Sequence, residues 1–161
     1  VTWSEISNGM ESIAISWLDQ SKSQPNVLYA ATGVAWVGGI QDITGAGVYK
    51  SVDSGKNWIN VSPRESNGYV LDEFNNVSRL LVDPTDPDIV IASTTEDYFA
   101  QGHIWKTIDG GKNWTEVASA STRIQQVIAA PSDFNIQYAA VRGVGVLRSV
   151  DREVLGRILV E

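Results

Sequence analysis

The chain has 161 residues, 43% of them apolar, and a formal charge of −7; it is long enough to bury a core of its own and too apolar for intrinsic disorder. Its acidity argues against nucleic acid as a partner. With no cysteine, disulfides and thiol chemistry are excluded, and no apolar run reaches the length of a membrane-spanning helix, so no membrane insertion is expected.

Thr2-Trp-Ser-Glu-Ile-Ser7 opens the chain as a strand-like segment. Two further strands are predicted at Ser12-Ile-Ala-Ile-Ser-Trp-Leu-Asp19 and Asn26-Val-Leu-Tyr-Ala-Ala-Thr32, both rich in β-branched, aromatic and small residues and bounded by polar turns. A long connection, 33–46, leads to a third, Gly47-Val-Tyr-Lys-Ser51, and a fourth covers 57–62. After a second long connection, 63–76, the order recurs. Ser78-Arg-Leu-Leu-Val-Asp83 matches the first strand ending at Asp19, and Asp88-Ile-Val-Ile-Ala-Ser-Thr94, His103-Ile-Trp-Lys-Thr107 and residues 113–118 match the next three. A third copy begins with Ile124-Gln-Gln-Val-Ile-Ala-Ala130, Asn135-Ile-Gln-Tyr-Ala-Ala-Val141 and Gly145-Val-Leu-Arg-Ser149.

Between third and fourth strands stands an eight-residue phrase written twice, Ser51-Val-Asp-Ser-Gly-Lys-Asn-Trp58 and Thr107-Ile-Asp-Gly-Gly-Lys-Asn-Trp114. Its physics is that of a hairpin turn. Asp53 and Asp109 can accept bonds from backbone N–H groups and from the hydroxyls of Ser51 and Thr107. Gly55 and Gly111 allow a positive φ, and Trp58 and Trp114 can fold back over the turn. These eight residues are therefore expected to be structural. A third phrase starts at Ser149-Val-Asp151, but Glu153 and Gly156 stand where Gly and Trp are needed. Equivalent aspartates are 109 − 53 = 56 and 151 − 109 = 42 residues apart.

The phrase resembles the Asp-box, or bacterial neuraminidase repeat, of β-propellers such as sialidases, xyloglucan-active glycoside hydrolases, sortilin-type receptors and a photosystem assembly factor. The resemblance covers 1–151 and implies an all-β propeller of four-stranded antiparallel blades, about three of them present. Residues 152–161 are expected to be an atypical tail or a degenerate last strand. Three blades are too few to close a ring. Either a longer chain or a second copy, lending its 2–7 strand to its partner's third blade in a homodimer, is expected to complete it. The resemblance also favours an exported protein, extracellular or periplasmic, working as a recognition module for a glycan or a protein. The alternative it offers is a fragment of a propeller glycoside hydrolase, xyloglucanase-like before sialidase-like.

In an antiparallel blade, the phrase turns and the compact 83–88 turn leave the sheet at one end, while the long connections 33–46, 63–76 and 97–102 cluster at the other. Long loops on a rigid scaffold are where binding and catalysis concentrate. These carry Trp36, Tyr69, Tyr98 and Phe99 beside Asp42, Glu65, Asp72, Glu73, Glu96 and Asp97, with Phe74 among them. Aromatic faces next to carboxylates suit sugars or a peptide. A glycosidase needs two carboxylates about 5–10 Å apart, and nothing in the spacing pairs two of these. A sialidase further needs an arginine cluster, for which Arg64, Arg79, Arg123, Arg142 and Arg148 are candidates. The lone His103 reads as a loop-edge residue and Trp105 as blade core. No metal spacing, phosphate loop or nucleophile motif is present, and no cofactor is expected.

Overall fold

The structure, a computed structural model, describes residues 1–33, 43–97 and 99–149. Strands β1 (Ile15–Gln20), β2 (Leu28–Thr32), β3 (Val48–Ser51) and β4 (Ile59–Asn60) form one antiparallel sheet in sequence order. Strands β5 (Asn76–Val82), β6 (Val90–Thr95), β7 (Gly102–Thr107) and β8 (Thr115–Ala120) form a second in the same order. A third holds β9 (Ile124–Ala130), β10 (Asp133–Val141) and β11 (Gly145–Ser149). Among the first strands, β1 neighbours β5 and β5 neighbours β9, so the sheets fan outward from a line of first strands. The tail expected at 152–161 lies outside the described residues.

The first two sheets bury both faces, the second between its two neighbours and the first between the second sheet and the N-terminal segment. The third packs one face on the second sheet and leaves the other exposed. Tyr29, Ala31 and Val48 of the first sheet meet Phe74, Leu80, Val90 and Ala92 of the second in one cluster. Ile91, Ile104 and Val117 meet Ile124, Val127 and Ala139 of the third in another. The far face of the first sheet packs Ala30, Tyr49 and Trp58 with Met10. The central strands β2 and β6 are consequently buried along nearly their whole length, whereas β10 is only partly buried, and the hydroxyls inside the first two sheets are bonded. Thr32 Oγ1 receives the N–H of Ala46 at 2.8 Å and donates to Gly47 O at 2.7 Å, and Thr94 Oγ1 accepts from the Trp105 indole at 3.0 Å.

The ladders revise one sequence equivalence. Trp17 pairs with Ala31, Arg79 with Ser93 and Gln126 with Ala140, after bulges at Ser16, Ser78 and Gln125. With the second strands aligned, Trp17, Arg79 and Gln126 are equivalent and Asp83 matches Ser21. The expected match of Asp83 with Asp19 is wrong by two residues. That slip keeps every side chain on its own face, so alternation in the sequence could not expose it. The bulge serines also tie the sheets together: Ser16 Oγ donates to Val77 O at 2.5 Å and Ser78 Oγ to Ile124 O at 3.1 Å, in successive sheet pairs.

The turns at 51–58 and 107–114 have the same bonds to within 0.1 Å. Ser51 Oγ donates to Asp53 Oδ1 at 2.8 Å and accepts the Gly55 N–H at 2.9 Å. Asp53 takes the Asn57 N–H at 2.9 Å and its side-chain amide at 2.7 Å. Thr107, Asp109, Gly111 and Asn113 repeat this at 2.8, 3.0, 2.9 and 2.7 Å. The carboxyls of Asp53 and Asp109 are held down to about 2 from 3.8, first by the side-chain amides of Asn57 and Asn113, then by those residues' N–H groups and the hydroxyls.

Each turn tryptophan reaches into the neighbouring unit. Trp114 Nε1 donates to Val61 O and Trp58 Nε1 to Ile6 O, both at 2.7 Å. Val61 lies three residues after Trp58, and Ile6 three after Trp3. Segment 1–7 makes no ladder, yet it sits against the first sheet as β4 sits against the second. A Cβ added to Gly55 would meet Ile6 Cδ1 at 2.6 Å, and one on Gly111 would meet Val61 Cβ at 2.6 Å.

Candidate functional site

The strand order sends the connections β2–β3, β4–β5, β6–β7 and β10–β11 to one end of the sheets. Trp36 and Asp42, in the first of them, and Tyr98, in the third, lie outside the described residues. The rest of the predicted set falls on two short, strongly hydrogen-bonded loops and the 3-10 turn after the first.

In the first loop, Arg64 bridges Val70, the Glu65 N–H donates to Tyr69 O at 2.8 Å, and Arg64 Nη1 donates to Gly68 O at 2.8 Å. Asn67 locks the tip, its amide donating to Glu65 Oε2 at 2.7 Å and its Oδ1 accepting the Tyr69 N–H at 2.9 Å. The result is a small hairpin that holds the Tyr69 ring out, 75% exposed. A 3-10 turn follows at Asp72–Phe74. It leaves Asp72 exposed and Glu73 half-buried. Phe74, grouped by sequence with the loop aromatics, belongs instead to the core. It is fully buried, with its ring 5.3 Å from Trp105 and 5.5 Å from Trp114.

The second loop turns on Asp97, whose Oδ1 accepts the N–H groups of Phe99 at 2.6 Å and Ala100 at 2.8 Å. Glu96 gives its backbone carbonyl to the Asn76 amide at 2.8 Å. Phe99 is 80% exposed. The Arg142 guanidinium of the β10–β11 turn lies 5.7 Å from the Phe99 ring centroid, and Arg142 is itself anchored through its carbonyl to Thr122 Oγ1 at 2.7 Å. Sequence had Arg142 only as one arginine among five. Its place beside Phe99 comes from the packing of sheets two and three, which leaves no local signal. Glu65 and Asp97 thus spend carboxylate oxygens on fixing the backbone that presents an aromatic ring.

His103 bonds Glu116 Oε1 through Nδ1 at 2.9 Å on the β7–β8 pair. Among the described residues no group of three or more His, Asp or Glu is placed to hold a metal ion.

A cleft of about 670 Å³ opens at the other end, between the first strands and the turns that follow them. Trp17, Asp19, Lys22 and Arg79 line it together with Ile128, Pro131 and Phe134. None of Glu65, Tyr69, Asp72, Glu73, Glu96, Asp97 and Phe99 lines it, nor the small apolar cavity of about 10 Å³ between sheets two and three.

No protein-family model matches this chain, and neither does any curated protein. Among solved structures, an ancestral GH74 enzyme superposes with a TM-score of 0.62 at 13% identity, over 87% of this chain and 18% of its own. YCF48 from Cyanidioschyzon merolae superposes with a TM-score of 0.54 at 18% identity, over 85% of this chain and 34% of its own. The sheets are blades of a β-propeller. The first strands are then the innermost of each blade, the turn tryptophans stitch one blade to the next, and the cleft lies on the inner-strand side of the blades. The chain spans about a fifth and a third of the length of these two structures.

Proposed function

We propose that these blades form a recognition module that binds a protein partner through the long-loop end, with Tyr69 and Phe99 as its anchors. One observation carries this reading: both rings stand out from loops already locked by their own hydrogen bonds, so binding would bury large aromatic surface with little ordering cost. The Asp-box reading of the two turns fits the same picture, as the rigid end that leaves the loop end free to vary. Export rests on the resemblance alone.

A protein suits these loops because protein interfaces are anchored on exposed, pre-ordered aromatic rings of this kind. A glycan, or a glycoside hydrolase's substrate, is the alternative occupant of the same end.

Affinity capture from the native host, with wild-type protein and with Tyr69→Ala/Phe99→Ala, tests the proposal alongside a glycan array and a xyloglucan hydrolysis assay. One protein captured by the wild type and weakened about tenfold or more by each truncation is the expected result. Capture unchanged by the double variant sinks the site. A glycan hit without a protein would transfer the loops to carbohydrate, and released sugar would restore the catalytic reading.

A further inference from the structure

The inner-strand cleft has its own chemistry. Inner-strand packing keeps a bulge at Ser16, Ser78 and Gln125, but the next residue is Trp17 in one blade, Arg79 in the second and Gln126 in the third. Requirements shared by the blades do not explain that variation. Two of the three come together in the cleft wall, where the Arg79 guanidinium carbon lies 3.5 Å from the Trp17 ring centroid. Stacking of this kind occupies the faces of the guanidinium and leaves its edge donors, all in one plane, pointing past the ring.

Those donors are not used within the protein. Arg79 Nε is buried without a hydrogen-bond partner, and among the described residues no carboxylate lies within ion-pairing distance of the guanidinium. Asp19 lies nearby but is engaged elsewhere: Oδ1 accepts the Gln20 N–H and Oδ2 the Val82 N–H of the next blade, each at 2.9 Å. It acts on Arg79 as a fixed charge, opposing the desolvation that lowers the guanidinium pKa. Asp83 and Asp133 also line the cleft, and each has an oxygen engaged in its own turn. Ile128, Pro131 and Phe134 of the third blade line the same cleft and give it an apolar stretch.

The geometry points to a binding site for an organic carboxylate, its two oxygens on the edge of Arg79 and its apolar body on the third-blade wall. A fork of parallel N–H donors matches a carboxylate bidentately. The surrounding aspartates oppose any anion, the carboxylate included, so the apolar body has to contribute the affinity that an inorganic anion lacks. The site lies at the opposite end of the blades from Tyr69 and Phe99, and neither proposal depends on the other.

Titration of ¹⁵N-labelled protein with benzoate, acetate and inorganic phosphate, read at the Arg79 Nε–H and Trp17 Nε1–H resonances, tests the assignment. Benzoate should give saturable shifts of both signals, with acetate at least tenfold weaker because it lacks the body. Arg79→Gln should abolish saturation. Arg79→Lys keeps the charge, loses the fork and should weaken benzoate at least tenfold, which decides the matter if Arg79→Gln fails to fold. Ile128→Ser should weaken benzoate and leave acetate unchanged. The site is overturned if benzoate shows no saturation or binds Arg79→Lys as tightly as wild type, and the ligand class is overturned if phosphate binds as well as benzoate.

Discussion

Trp58 and Trp3 are the same residue of the repeat in opposite surroundings. Trp58 is 5% exposed, closes its own turn and donates to Ile6 O, whereas Trp3 is 94% exposed. Truncating Trp58 removes a buried ring and orphans a carbonyl between two segments. Trp58→Ala should therefore cost about 3–5 kcal/mol in chemical denaturation. Trp3→Ala should stay within about 0.5 kcal/mol, as exposed substitutions do. Sequence showed that both are tryptophans of one repeat, but it could not show which had a neighbouring strand to lie on.

The repeated turn is the element whose behaviour is most predictable. Asp53 and Asp109 have folded-state pKa values of about 2 against 3.8. A carboxylate with a depressed pKa stabilises the fold fully above its unfolded value and loses that contribution as pH falls through the folded one. The turns should hold at pH 5, loosen progressively below pH 4 and be about half lost near pH 2, seen as falling protection factors, observed against intrinsic amide exchange, at Gly55 and Gly111. In Asp53→Asn the Gly55 response to pH should flatten while Gly111 keeps its own. The same two glycines, at φ 84° and 94°, face Ile6 and Val61 with no room for a Cβ. Gly111→Ala should strain the turn and push apart two blades at once, lowering the melting temperature by several degrees in a scan followed by far-UV circular dichroism.

At the scale of the whole molecule, the outstanding question is what covers the face that Trp3 presents. Ring completion by a second copy would bury Trp3 and double the mass together. Light scattering during gel filtration, paired with acrylamide quenching of wild type against Trp3→Phe, checks both. A mass twice 17.5 kDa should come with a protected Trp3, and a mass of 17.5 kDa with a Trp3 that quenches freely. A doubled mass with Trp3 still quenchable would place the contact elsewhere and exclude ring completion through this segment.

The sequence by itself determined the blade grouping, because the strand segments recur in one order, and the turn chemistry, because it rests on bonds closed within a few residues. The hydroxyl, carboxylate and glycine of each turn lie within five positions of one another, so their spacing is written in the chain. Only the tertiary structure decided that Phe74 is core, that Arg142 lies beside Phe99, and that Arg79 lies against Trp17. The last two of those contacts join different blades, and Phe74 sits in the connection from the first blade to the second. Their partners are set by which face of one sheet covers the next, and a repeat pattern, being identical from blade to blade, carries no record of it.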